Sequence, residues 1–358
     1  MATNVSGTSA SASARAFSGH RSDIGGFRDS VAKGTWPDAA AVTARVDADA
    51  ESVRSVNVQG MEEVRNKMTP SAFRFAVGFS AAGSRAEWRD KAQQAEDLGY
   101  DVIQVPDHLG MTSPFPTVIV MAEATNHVHV GTMVLNAGFY RPALLARDVA
   151  TVDQLTDGRF EFGLGAGPDF AKPEFEAAGL PFPGGRQRID YMRDTIGEIR
   201  SLFANGHQPP VHRRIPLLVA GRGDRLVRVA AEHADTVALA GVPVGADIDS
   251  EDAGTAALAR RVEFVRSAAG ERFADLELGL TMQAVDVQGQ GAADLSLARR
   301  FNPELSEAQL RYLPGVLHGS ARSIADTLRH YRDAYSVTHY SVSNTHMTTF
   351  AKVIEQLR

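Results

Sequence analysis

The chain has 358 residues, 44% of them hydrophobic, and its 37 basic and 43 acidic residues leave a formal net charge of -6. It contains no cysteine, which excludes disulfides, thiolate metal ligands and a cysteine nucleophile. No basic block resembles a nucleic-acid-binding patch, and every apolar run is far shorter than the roughly 20 residues of a membrane helix. We therefore expect a soluble, cytoplasmic protein with neither nucleic acid nor membrane as a partner.

Residues 1–70 differ in composition from the rest, being rich in Ser, Ala and Thr with few large hydrophobic side chains. Such a segment buries too little apolar surface to offset its ordering entropy, which predicts a disordered extension. Arg15 and Arg21 precede the first acid, Asp23, a pattern that an organelle transit peptide also shows. We favour the disordered extension and assign residues 71–358 to one domain.

From Phe73 onward, strand and helix signals alternate. A capping box, Ser84 with Glu87, opens the first helix, and Pro142 opens another that ends at Asp157-Gly158. The predicted strands are 73–79, 101–105, 128–135, 159–165, 215–220, 236–241, a stretch within 276–287, and 338–343. Further helices are predicted after Pro114, over 186–203, 224–233, 255–268 and 320–335, and from Met347.

Eight β-α units predict a (β/α)8 TIM barrel, whose usual size is about 250 residues. An open doubly wound sheet would require GxGxxG directly after the first strand. The sequence has SAAGSR there, so the barrel is favoured.

The fourth predicted strand has one bulky and one nearly bare face. Phe160, Phe162 and Leu164 point one way, whereas Glu161, Gly163 and Gly165 point into the barrel. The bare end, continuing through Ala166 and Gly167, would let a large flat ligand approach the backbone. Small residues that simply fit a crowded interior explain the pattern equally well. Glu161 itself is expected to form a buried structural ion pair.

In a barrel of this kind, chemistry lies at the carboxyl ends of the strands. Asp107 and His108 follow the second strand, and His108 is the best-placed proton donor or acceptor because imidazole titrates near neutrality. Asp107 would orient it or bind a ligand. The alternative is that Asp107 caps a helical turn and His108 packs under a loop.

Two other strand ends offer ligand-binding groups. Asn136 presents a donor and an acceptor that suit the edge of a heterocycle, although it would also satisfy its own turn. The fifth strand runs into Gly221-Arg222-Gly223-Asp224-Arg225 at a helix start, where backbone amides and arginines would bind a phosphate. An ordinary turn is the alternative there. His127 and His129 lie at the opposite end of the barrel, and we expect no metal site.

Residues 73–358 resemble the bacterial luciferase-like monooxygenase superfamily, in particular its coenzyme F420-dependent oxidoreductases. The resemblance rests on AEDLGYDVIQVPDHL, on VGTMVLNAGFYRPALLARDVATVDQLTDGRFEFGLGAG and on IPLLVAGRGDRLVRVAAEHAD. It implies a deazaflavin (F420) or flavin (FMN) at the barrel mouth, and a homodimer.

The resemblance also implies roles for individual residues. His108 would transfer a proton, and a non-proline cis peptide at Met133-Val134 would support the ring. The implied cofactor-binding residues are Asp107, Met133, Val134, Asn136, Gly165, Ala166, Gly167, Gly221, Arg222, Gly223, Arg225 and Leu226.

Pro168 stands where related sugar-phosphate dehydrogenases have a glutamate, so no sugar-phosphate substrate is predicted. We expect hydride transfer between F420 and a small organic molecule, such as one with an activated C=C or C=N bond. The segments 168–185 and 289–314 would enclose it. An FMN-dependent monooxygenase and a non-catalytic flavin-binding barrel are the alternatives.

Overall fold

The computed structural model describes residues 72–80, 83–241, 247–289 and 294–358. The extension expected over residues 1–70 lies outside these ranges, so its disorder and its boundary stay predictions. Within the described part of the chain, no helix is long and apolar enough to span a membrane.

Strands and helices alternate along the described residues. The strands are β1 (Arg74–Gly78), β2 (Val102–Val105), β3 (His129–Thr132), β4 (Leu135–Asn136), β5 (Phe160–Gly165), β6 (Leu217–Gly221), β7 (Thr236–Leu239), β8 (Glu277–Thr281), β9 (Ala284–Val287), β10 (Val316–Gly319) and β11 (Val337–Ser343). The helices are α1 (Arg85–Asp97), α2 (Pro114–Glu123), α3 (Pro142–Leu155), α4 (Lys172–Ala177), α5 (Gly185–Ala204), α6 (Asp224–His233), α7 (Glu251–Ala269), α8 (Ser296–Phe301), α9 (Glu307–Arg311), α10 (Ala321–Tyr335) and α11 (Met347–Ile354).

Most of these strands form one closed parallel barrel. The sheet order is β3, β2, β1, β11, β8, β7, β6, β5, β4, and a further pairing of β3 with β5 closes it. β3 and β4 are two halves of one barrel strand, separated by the cis peptide bond Met133–Val134. Counting them as one gives eight parallel strands, and the predicted (β/α)8 barrel is confirmed.

Local signals set the ends of several helices. The Ser84–Glu87 capping box is present at the start of α1, and Asp157 and Gly158 both adopt positive φ after α3. α7 begins earlier than the predicted 255–268, because the Ser250 hydroxyl accepts the Ala253 amide and supplies a cap at that point.

Two expectations about the segment before the last barrel strand were wrong. The single strand expected within 276–287 is two strands, β8 in the barrel and β9 outside it, and β9 pairs with β10 in a separate parallel sheet. The 289–314 segment, expected as a long loop, contains α8 and α9. These elements have their own small core, which includes Ile248, Ala284, Leu310 and Val316. The helices α8 and α9 are too short for sequence periodicity to reveal them.

A buried layer of charged side chains fills the amino-terminal end of the barrel. The Arg74 guanidinium pairs with Glu161 and, at 2.8 Å, with Glu277. His129 and His339 contact the same two carboxylates through Nδ1, at 2.9 Å from Glu161 and 3.1 Å from Glu277. The expected structural ion pair of Glu161 is confirmed.

The charge layer makes both carboxylates stronger acids. Burial alone would raise the pKa of Glu277, but the charges of His339 and Arg74 and the hydrogen bond from His339 outweigh it and lower the pKa to about 2. Burial likewise opposes the lowering at Glu161, where the charge of Arg74 and the hydrogen bond from His129 hold the pKa well below its usual value.

A carboxylate whose pKa is lower in the folded than in the unfolded state stabilises the protein above the unfolded pKa of about 4.5. This stabilisation is lost as the pH falls towards the folded-state pKa. We expect Glu277→Gln to lower the free energy of unfolding at pH 7 by about 3 kcal/mol, because it leaves Arg74 with one fewer buried partner. The variant should also show a flatter decline between pH 4.5 and 2.

Urea unfolding followed by circular dichroism at several pH values measures both effects. Glu198→Gln, an exposed position on α5, is the control and should match the wild-type curve. An unchanged pH dependence in Glu277→Gln would contradict the proposed contribution of Glu277 to stability.

Candidate active site

Asp107 lies just beyond the carboxyl end of β2 and is buried. Its Oδ2 accepts the Asn136 backbone amide at 3.0 Å, and its carboxylate also accepts the Tyr140 hydroxyl. Burial raises the pKa of Asp107, while those two hydrogen bonds and the charge of His108 act in the opposite direction. Asp107 therefore fixes the turn after β4, and another carboxylate contacts His108.

That carboxylate is Glu174, on α4. The Nδ1 atom of His108 lies 2.9 Å and 3.1 Å from its two oxygens, and the Leu109 amide donates to Glu174 at 3.1 Å. No hydrogen bond from the described residues reaches Nε2 of His108. With Nδ1 held by Glu174, Nε2 is the nitrogen available to a substrate.

Sequence reasoning missed Glu174 because it lies 66 residues from His108. One signal could have found it. Glu174 falls in the 168–185 segment expected over the mouth, and a carboxylate there is a natural partner for a strand-end histidine.

Aromatic contacts cross the mouth from β2 to β6. The Phe170 ring stacks on His108 with 6.1 Å between centroids, and Phe301 lies edge-on to Phe170 at 6.4 Å. The Arg300 guanidinium sits 3.9 Å above the Phe170 ring, and Arg222 donates to the Phe301 carbonyl. The two segments predicted to enclose a substrate therefore meet above His108.

The glycines of β5 pack against the neighbouring barrel strand. A Cβ on Gly163 would lie 1.8 Å from the Thr132 carbonyl oxygen, and one on Gly165 would lie 2.5 Å from Cγ2 of Val134. Two explanations were open for these small residues, the close approach of a flat ligand and a crowded barrel interior. The crowded interior accounts for the bare face of β5. Their role as cofactor contacts stays a prediction.

Asn136 combines both of the roles considered for it. Its Oδ1 accepts the Gly138 amide at 3.4 Å, as in an asparagine that satisfies its own turn. Its Nδ2 is buried and has no hydrogen-bond partner among the described residues. Gly167, with φ at +76°, lies against this amide, and a Cβ there would be 2.9 Å from Nδ2. An orphaned buried donor is the kind of group that a ligand satisfies.

The start of α6 keeps the features expected of an anion site. Gly223 is the N-cap and has open space beside it, and the amides of residues 224–226 have no partner among the described residues. Leu226 packs directly on Gly221. The first-turn amides and the helix dipole therefore face a free position.

The two arginines near this helix start are both held by protein groups. Arg222 donates to Phe301, its Nε is buried without a partner among the described residues, and burial lowers its pKa. Arg225 pairs with Asp190 of α5 and is exposed. Of the two, only Arg222 reaches across to the segments above His108.

Comparison with known proteins gives a consistent result. The model of the luciferase-like monooxygenase family matches residues 69–286. An F420-dependent glucose-6-phosphate dehydrogenase of Kribbella flavida is 33% identical over 139 residues, which are 36% of this chain and 41% of the relative. A 5,10-methylenetetrahydromethanopterin reductase of Archaeoglobus fulgidus is 28% identical over 160 residues, or 40% and 46% of the two chains. The chain thus spans about half the length of the curated relatives it matches.

Solved structures share the fold at low identity. An F420-dependent secondary alcohol dehydrogenase in complex with an F420-acetone adduct has a TM-score of 0.62 at 15% identity, covering 80% of this chain and 99% of the other. The monooxygenase RslO1 of Streptomyces bottropensis has a TM-score of 0.56 at 17% identity, covering 79% and 97%.

The packing of β5 predicts opposite outcomes for two glycine substitutions. Gly163→Ala should destabilise the protein by about 3 kcal/mol, because the new Cβ collides with the backbone of β3. Gly197→Ala, in open space within α5, should stabilise it by roughly 0.5–1 kcal/mol. Thermal unfolding of the two variants measures this, and equal stabilities would contradict the packing.

Proposed function

Because the chain belongs to the luciferase-like monooxygenase family, we propose that it is an F420-dependent oxidoreductase. It transfers a hydride between the deazaflavin and a small organic substrate at the barrel mouth, and His108 moves the accompanying proton. The observation that carries this proposal is the His108–Glu174 pair, held under two overhanging segments. The curated relatives with F420-dependent names support the choice of cofactor.

The residues at the mouth fit such a cofactor. Asn136 Nδ2 is a buried donor without a partner among the described residues, and it suits an acceptor on the edge of a heterocycle. The cis bulge at Met133–Val134 and the turn held by Asp107 lie beside Asn136. Gly165 ends β5 opposite Asn136, and Ala166 and Gly167 follow it. These residues would hold the ring.

The phosphate-bearing tail would lie at the start of α6. The free amides after Gly223 and the dipole of the helix favour an anion there, with Arg222 and Arg225 as nearby cations. Gly221 and Leu226 shape the turn by their mutual contact. A bound deazaflavin supplies a ring carbon that gives or accepts a hydride.

His108 handles the proton that accompanies the hydride. Glu174 holds Nδ1, which fixes the orientation of the imidazole. Nε2 is then directed to the substrate, whose oxygen, nitrogen or carbon receives the proton during reduction. Phe170 and Phe301 cover this position and limit the access of water.

The relatives do not establish the substrate class of this protein, which we infer separately. We propose reduction of an activated C=C or C=N bond. Pro168 is the reason not to extend the sugar-phosphate substrate of some relatives to this chain. An FMN-dependent monooxygenase is the second candidate, because the family name and the RslO1 fold allow it.

A homodimer in the cytoplasm completes the proposal. Leu144 and Leu155 on α3 are 53% and 57% exposed, and we propose that these apolar side chains contribute to the contact between subunits.

Cofactor identity decides between the two candidates. We expect the purified protein to quench the fluorescence of oxidised F420 on titration and to bind FMN at least about tenfold more weakly. Arg222→Ala should weaken F420 binding further than Arg228→Ala, a control on α6. Tighter binding of FMN would contradict the F420 proposal. If the protein bound neither cofactor, the non-catalytic barrel would be the remaining alternative.

Substitution of His108 distinguishes an enzyme from a barrel that only binds the cofactor. We expect His108→Ala to reduce the turnover of reduced F420 with cyclohexenone, a probe with an activated C=C bond, by about 10²–10⁴-fold. Binding of F420 should be unchanged. Glu174→Gln should lower kcat by less, while Glu176→Gln, exposed on α4, should have no effect. Wild-type turnover in His108→Ala would exclude the proposed role.

A further inference from the structure

A cavity of about 300 Å³ lies outside the barrel, between α5 and the strands β5 and β6. It is next to Leu217, the first residue of β6, and thus near the end of the barrel opposite His108. Its apolar wall consists of Phe162, Ile196, Ile199, Phe203, Val211, Ile215 and Leu217. The proposed active site uses none of these residues.

Three arginines and one acid complete the lining: Arg200, Arg213, Arg214 and Asp235. Arg213 pairs with Asp153, and Arg214 pairs with Asp235. Arg200 donates to the His233 carbonyl, and no carboxylate in the described part of the chain lies within ion-pair distance of it. The rim therefore carries a cation whose charge is not matched.

The surroundings of Arg200 add to this positive charge. Burial lowers the pKa of Arg200, the charge of Asp235 opposes that effect, and the nearby guanidinium groups of Arg214 and Arg272 lower the pKa further. The pKa of His233 is also lowered by burial and then by Arg200. An anion placed at the rim would relieve the repulsion between these groups.

We propose that this cavity binds a medium-chain carboxylate, with its alkyl chain against Ile196, Ile199 and Leu217 and its head group on Arg200. The volume is at the lower end of the range for ligand pockets, about 300–1,000 Å³, which suits a chain of about eight carbons. A guanidinium binds a carboxylate through paired hydrogen bonds, and the mainly aliphatic wall suits an alkyl chain. This proposal does not depend on the proposed redox function.

Isothermal titration of the full chain with octanoate tests the proposal, and octanol serves as the uncharged probe. Octanoate should bind at least about tenfold more tightly than octanol. Arg200→Gln should remove that preference, and Ile199→Trp should abolish binding by filling the cavity. Arg193→Gln, on the same helix but outside the lining, is the matched control and should bind as the wild type does.

Because Arg200 also contacts the end of α6, methyl NMR of the wild type provides a second measurement. Octanoate should shift the methyl resonances of Ile196 and Ile199. Absence of binding, equal binding of octanol, unchanged octanoate affinity in Arg200→Gln or shifts confined to the barrel mouth would each overturn the proposal.

Discussion

The close approach of β5 to the divided strand β3–β4 is the constraint on which the barrel and its mouth depend. The Thr132 hydroxyl donates to the Gly163 carbonyl and accepts the Gly163 amide, both at 2.9 Å. Any side chain at Gly163 would occupy the position of the Thr132 carbonyl. The barrel closes at this seam, and the same seam places Asn136 beside Gly165. The contact between β5 and the β3–β4 strand therefore determines both the packing of the barrel and the position of Asn136.

The two ends of the barrel use charge differently. At the amino-terminal end, Arg74 pairs with both Glu161 and Glu277 in a buried layer that His129 and His339 complete, and these contacts lower the pKa of both carboxylates. At the carboxyl end, His108 and Glu174 remain partly exposed, and the donors of Asn136 and α6 have no partners among the described residues. Matched charges stabilise the fold, whereas unmatched groups are free to bind a ligand.

The sequence predicted the barrel well because its signals are local. Strand period, the Pro142 start and the Asp157-Gly158 end are all encoded within a few residues, and every barrel strand except β8 falls within two residues of its predicted bounds. The sheet of β9 and β10 escaped prediction because its two strands pair with each other outside the barrel. Glu174 escaped because its contact with His108 is made by tertiary folding alone.

Strand-end position singled out His108 and Asn136 but did not reveal their partners. Asp107 was expected either to orient His108 or to bind a ligand. Its carboxylate accepts hydrogen bonds from the Asn136 amide and the Tyr140 hydroxyl, and Glu174 holds His108 instead. The arginines of the fifth strand end likewise contact Phe301 and Asp190, two residues that no spacing rule connects to them.

A crystal structure of the protein with oxidised F420 would test the central claim most directly. The account predicts the deazaflavin ring against Val134 with an acceptor on Asn136 Nδ2, and a phosphate on the free amides of residues 224–226. A ring bound away from the β4–β5 seam, or an Asn136 Nδ2 that remains without a partner in the complex, would contradict it.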